Sequence, residues 1–429
     1  VPDTPFGFSL PGGQPDPNDP QQMQQFLAGL QHMLAQSAAT DGPVNWDLAR
    51  QVATSQLNSA GGDPGVSPAD RAAVTEALRL ADLWLEPLTA WPTGLTTTAA
   101  WNRNEWLFHT LPAWKKLCDP VASRMVGAMS DLVPEEARAQ LGMMQGMLTA
   151  LGSAVFGGQL GQALASLAAE VLSAGDIGLP LGPAGTGALV PANVHAYGAG
   201  LEIDPSEVRL YAALREAAHQ RLFSHVPWLR GHVFAAVEAY AGGIRVDRDA
   251  IEEAMGRIDP SDPSSMQELQ MAGIFTPEDS PAQQAALRRL ETVLALIEGW
   301  VSHVVDTAAE GRLPNAAKLG EAFRRRRAAG GPAEQTFAAL VGLELRPRRL
   351  REAARLWAAL TEHRGVAGRD ALWGHPDLLP TDDDFADPEA YAEGQLSLGD
   401  LGDFESDLRK MMEGESGSND KPDDPDNKK

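Results

Sequence analysis

The sequence has one cysteine, Cys118, in 429 residues. That excludes an intramolecular disulfide framework and a cysteine-based zinc knuckle, and a reducing cytoplasm is the expected setting. Basic residues are also scarce: 35 Lys and Arg stand against 58 Asp and Glu, a net charge of −23. Such a balance argues against nucleic acid or an anionic membrane surface as the main partner. The acidity is partly local, because sixteen acidic and only five basic residues lie between Thr381 and Lys429. Long apolar runs are missing too. The most apolar stretch, Leu141 to Ala174, is interrupted by Gln145, Gln159, Gln162 and Glu170. No piece of it reaches the ~20 residues that span a bilayer, so it reads as buried helix. Val1 to Asp19 offers Pro, Gly and Asp where an export signal has a basic start and an apolar stretch, so none is expected.

What is present is helical. Ser67-Pro68, Asp204-Pro205-Ser206-Glu207 and Ser280-Pro281-Ala282-Gln283 each join an N-cap to a first-turn proline, and the last two add Glu or Gln at the capping-box position. Gly331-Pro332-Ala333-Glu334 is a weaker version. Strand signals cluster near 187–203, in Ala188-Leu189-Val190, Val194 to Tyr197 and Leu201 to Ile203. Ten tryptophans point to a well-filled core. The fold class expected is mainly α with a small strand region. The divisions expected are a disordered leader over 1–19, an N-terminal helical region over 20–186, a second region over 187–395 and a disordered acidic tail over 396–429.

Two helices carry the candidate chemistry. In the one starting at Pro205, Arg215 and His219 stand four residues apart at the margin of an apolar face, and Glu216 lies three residues before His219. In the one starting at Pro281, Leu294, Ile297, Val301 and Val305 surround Glu298. Its carboxylate is expected inside an apolar layer, where it needs a cation, a hydrogen-bond partner or a proton. His303 and Asp306 sit three apart on an adjoining face, a spacing shared by metal ligands and the carboxylates that orient them.

The stretches LREAAHQRLFSHVPWLRGHV (214–233), LIEGWVSHVVD (296–306), GGPAEQTFAALVGLELRPRRL (330–350) and ALWGHPDLLP (371–380) resemble the actinobacterial zincin-like metallopeptidase type 2 family. The resemblance covers roughly 141–387 and implies a zincin-like helical domain over the second region. It also implies zinc as cofactor and hydrolysis of peptide bonds in a peptide or protein substrate. Zincins carry His-Glu-x-x-His on a helix, with the Glu as general base. Carried over, Glu216 matches the base, His219 the second histidine and Glu298 a later ligand. His303 is the third ligand put forward, with His225 and His232 as alternatives and Asp306 as a supporting carboxylate. The first histidine is replaced by Arg215, which cannot donate a lone pair. The expectation is thus a zinc metallopeptidase homologue with a degenerate site, the alternative being a non-catalytic pseudopeptidase that binds a partner. In a site without the metal Arg215 is expected to reach Glu298 and supply the missing positive charge.

Other features read as structural. Arg324 to Arg327 with Arg346, Arg348, Arg349 and Arg351 lack the interleaved aromatics of a base-stacking surface, and are expected on solvated helix faces or against the acidic tail. Gly182 to Gly187 lacks the Lys-Ser/Thr ending of a nucleotide loop, and no Gly-x-Ser-x-Gly elbow occurs.

Overall fold

The computed structural model describes residues 42–131, 142–242, 244–246, 275–277, 281–331, 338 and 349–394. Leader and acidic tail lie outside the described residues, as do Ser280 and Pro332 to Glu334.

Helix starts follow from local side-chain chemistry. Asn45 Oδ1 accepts from the Leu48 N–H at 3.0 Å and opens α1 (Trp46–Ser59). Ser67 Oγ accepts from the Asp70 N–H at 3.0 Å, with Pro68 next to it, and opens α2 (Pro68–Leu85). Before α3 (Arg103–Asp131), Asn102 Oδ1 and Glu105 Oε2 each accept the other's backbone N–H at 2.8 Å. This reciprocal box satisfies donors that the helix itself leaves without partners.

The apolar stretch forms α4 (Gly142–Glu170), and among the described residues no helix is long and apolar enough to cross a membrane. Gly161 lets α1 approach α4 to backbone contact, since a Cβ there would sit 2.4 Å from Ala49 O.

The strand expectation near 187–203 needs correction. Thr186–Leu189 is a strand, β2, paired in parallel with β1 (Thr97–Ala100), so that Thr97 faces Thr186 and Ala100 faces Leu189. Pro191, however, starts a helix, α5 (Pro191–Ala199), which takes in Val194 to Tyr197. The fixed φ of a first-turn proline suits a helix start and overrides the weak alternation after it. Leu201 to Ile203 are turn residues leading to the Asp204 cap of α6 (Pro205–His225). Glu207 does not close a capping box there. Its carboxylate accepts from Asn315 N and Nδ2 at 3.0 and 3.1 Å and ties the start of α6 to a later helix.

The remaining elements are α7 (Leu229–Gly242), an antiparallel pair β3 (Ile244–Val246) and β4 (Phe275–Pro277), α8 (Pro281–Ala309), α9 (Ala316–Ala329), α10 (Leu350–Ala371) and α11 (Pro388–Glu393). One hydrophobic core runs from Val44 to Ala392 and takes in Trp106, Trp114, Trp300, Trp357 and Trp373. Helix α6 is its centre, packed against α2, α5, α8, α9 and β2.

Candidate functional site

A helix surrounded on all sides buries its polar residues as well as its apolar ones. Tyr211 to Leu222 of α6 are all buried, so Arg215 and His219, expected at the edge of an apolar face, lie inside the protein. Groups withdrawn from water in this way need partners.

Glu298 of α8 is the focus. Its side chain is fully buried, and Arg215 Nη2 donates to its Oε2 at 2.6 Å. His219 Nε2 lies 3.1 Å from its Oε1, and Arg327 Nε of α9 lies 3.7 Å from the same oxygen. Burial on its own would raise the Glu298 pKa. The charges of Arg215 and Arg327, with the His219 hydrogen bond, overcome burial and hold the carboxyl well below the usual carboxylate range. Arg215 feels the converse: burial works against its charge, Glu298 together with Tyr211 and Asp176 outweighs burial, and its pKa is raised. The carboxylate makes Nε2 of His219 the donor, and Nδ1 is buried without a partner among the described residues.

Glu216 faces the loop between α4 and β2. Its Oε2 accepts from Gly175 N at 2.8 Å, and its Oε1 from Gln220 Nε2 at 3.0 Å and Ala188 N at 3.4 Å. Burial raises its pKa, opposed by hydrogen bonds from Ser173, Gly175 and Gln220 and by His219.

Loops usually run over the surface because their backbone groups need water. Here Val171 to Leu181 are buried without a break, and side chains replace the water. Arg327 Nη2 donates to Ile177 O at 2.7 Å, and Asp176 Oδ2 accepts from Leu172 N at 2.9 Å and from Arg326 Nη1 at 2.7 Å. The loop lies directly on the cluster: a Cβ on Gly175 would be 3.1 Å from Glu216 Oε2, and one on Gly178 would be 2.5 Å from Glu298 Oε1. Gly178 also has φ +76°, which favours glycine.

The structure brings Arg215, Glu216, His219 and Glu298 together and places the other expected residues elsewhere. His303 Nε2 lies 2.8 Å from Thr361 Oγ1 of α10. The Thr361 hydroxyl donates to Trp357 O at 2.7 Å, so it accepts from His303. Burial, then Arg369, push the His303 pKa down to about 4, with Asp370 opposing. Asp306 accepts from Tyr211 OH at 2.7 Å and pairs with Arg324, not with His303. His225 stacks on Trp91, and His232 packs edge-on against Trp228.

The pattern of the sequence did not single out Arg327 or Arg326, which turn inward from a run read as solvated, nor Arg221. The last donates to Asp82 Oδ1 at 2.7 Å, Thr89 Oγ1 at 3.0 Å and Trp91 O at 2.8 Å. Four consecutive arginines point in four directions around a helix, and only the packing of its neighbours tells which are enclosed.

A catalytic zinc takes about three protein ligands and leaves one position open. Among the described residues no group of three or more His, Cys, Asp or Glu side chains is arranged to hold a metal ion. The His219 nitrogen nearest Glu298 carries the proton, the Glu216 oxygens are taken up by N–H donors, and a guanidinium lies against Glu298.

No curated protein matches the sequence. Among solved structures, a candidate hydrolase with a novel fold from Chloroflexus aurantiacus aligns with a TM-score of 0.57 at 20% identity, covering 81% of this chain and 97% of that one. At that identity the likeness concerns the fold. The pattern of the family described as zincin-like metallopeptidase matches residues 44–392, most of the sequence and nearly all of the described core. The chain belongs to the zincin-like metallopeptidase family.

Proposed function

We propose that this protein is a zincin-like metallopeptidase homologue in which a buried ion pair stands in place of the metal, and that it acts as a non-catalytic helical protein binding a peptide or protein partner. The observation that carries the reading is the 2.6 Å contact between Arg215 Nη2 and the fully buried Glu298. A carboxylate placed to ligate a cation has a permanent one beside it, and the guanidinium supplies charge without an open coordination position. The enclosure supports the same reading: Glu216, which occupies the general-base position of the family motif, is 0% exposed and engaged with loop backbone. A base of that kind needs a water within hydrogen-bond reach.

Metal content tests this. Protein purified without chelator or added metal is expected to contain far less than one zinc per chain and to keep its melting temperature in EDTA. Arg215→His is expected to gain zinc affinity while remaining folded. Stoichiometric zinc in the native protein, or peptide hydrolysis that EDTA abolishes, would overturn the proposal and favour a metallopeptidase completed by other residues.

A further inference from the structure

Away from the buried cluster, a cleft of about 350 Å³ opens where the first turns of α2, α5 and α6 meet the Trp101–Asn102 turn before α3. Its size falls within the range of small-molecule sites, roughly 300–1,000 Å³. The lining is largely apolar, with Val66, Val74, Trp101, Leu189 and Val194 together with prolines that start α5 and α6. Its formal charges are a carboxylate and a guanidinium, Asp70 of α2 and Arg209 of α6, with His195 also on the lining.

These two charges share one cleft and do not pair. Arg209, half-buried, makes no hydrogen bond or ion pair among the described residues, and the carboxylate that feels its charge is the fully exposed Asp204 at the cap of the same helix. Asp70, exposed at the rim, is engaged among the described residues by Ser67, whose Oγ donates to its carboxylate at 2.6 Å and accepts its backbone N–H. The other half-buried arginines on this part of the surface find oxygen acceptors, Arg324 and Arg326 on carboxylates, Arg103 on Asn193 Oδ1 and Arg230 on Gly182 O. Helix α5, whose first turn lines the same cleft, starts without a side-chain cap, so the positive end of its dipole adds to Arg209.

We propose that the cleft binds a small zwitterion with an apolar body, its carboxylate at Arg209, its ammonium at Asp70 and its apolar part against Trp101 and the valines. An apolar α-amino acid and a short apolar peptide share that chemistry. The proposal rests on the cleft alone and stands whether or not the protein binds zinc.

Calorimetric titration of the full chain with leucine and with leucyl-leucine distinguishes the two sources, and leucinamide and N-acetylleucine each remove one charge. At least one zwitterion is expected to bind with a Kd below about 1 mM. Loss of a charge-assisted contact weakens binding by roughly ten- to a hundred-fold. Arg209→Gln should therefore weaken the zwitterion by that factor and leave leucinamide unaffected, whereas Asp70→Asn should weaken the zwitterion and leave N-acetylleucine unaffected. Arg209→Lys, which keeps the charge, should retain most of the binding and guards against misreading a folding defect. The proposal is overturned if neither zwitterion binds at about 10 mM, if Arg209→Gln binds like the native protein, or if Asp70→Asn leaves the zwitterion unaffected.

Discussion

Replacing Arg215 by alanine removes the closest counter-charge of a carboxylate that has no exposed surface. Two unit charges about 4 Å apart at an effective dielectric near 20 attract by about 4 kcal/mol. Measured losses on removing one partner of a buried pair are about 3–5 kcal/mol. Arg327 remains at 3.7 Å and His219 at 3.1 Å, so the lower half of that range is expected. With an unfolding entropy of about 2.1 cal/mol/K per residue over roughly 350 residues, a loss of 3–4 kcal/mol lowers Tm by about 4–6 °C. The sign of the pH dependence gives a sharper check. The Glu298 pKa is depressed in the folded protein, so its contribution is present above the unfolded value and is lost as pH falls toward the folded one. Without Arg215 the folded value rises toward the unfolded one and that dependence shrinks. Urea unfolding followed by tryptophan fluorescence should therefore show the widest gap between native protein and variant above about pH 5, narrowing in acid. A variant within about 1 kcal/mol of the native protein at pH 7, or a gap that does not narrow toward about pH 3, would refute the reasoning.

Glu216→Gln should cost about 1–3 kcal/mol in urea unfolding, because each carboxylate oxygen accepts a backbone N–H, from Gly175 and Ala188, and the new NH₂ must face one of them. Gly178→Ala should cost at least about 2 kcal/mol, from left-handed backbone plus a Cβ contact of 2.5 Å. Gly311→Ala, with φ +69° and open space around it, should cost only about 1 kcal/mol in the same assay. In NMR titration the His303 ring is expected to protonate near pH 4 and to stay neutral from about pH 5 upward. Because that value is depressed, its contribution to stability is present above about pH 6.5 and lost as pH falls toward 4, a slope that His303→Gln should remove.

The helical class was legible because its starts are local: Ser67, Asp204 and the prolines beside them act within one turn. Glu298 was legible for a related reason, since apolar residues three and four positions away mark its face as buried whatever that face packs against. Strands were harder. β1 reads Thr-Thr-Ala-Ala, a sequence with little pattern, and exists because β2 lies beside it across 89 positions of sequence. Periodicity could not show that α6 is enclosed on every side, because Arg215, Glu216, Gln220 and Arg221 look like a solvated face until their partners on other elements are known. His303 and Asp306 share a helix and a plausible spacing, yet α10 claims one and α6 and α9 claim the other.

The buried loop over the cluster has a consequence for how the protein breathes. A connecting segment normally exchanges its amide protons quickly and accepts added residues, because opening it disturbs little else. Between Val171 and Leu181 the amides of Leu172, Ala174, Gly175 and Gly178 are all hydrogen-bonded, and two of their acceptors, Glu216 and Ala188, belong to the central helix and the parallel strand. Opening this segment uncovers Glu298 and strands charges in the core. Its amides should then exchange only with global unfolding, as those of a core helix do. A peptide tag inserted after Gly178 should abolish folding, whereas one inserted in the exposed turn at Gly61-Gly62, where φ is positive and no neighbour lies within 4 Å of a Cβ, should be tolerated.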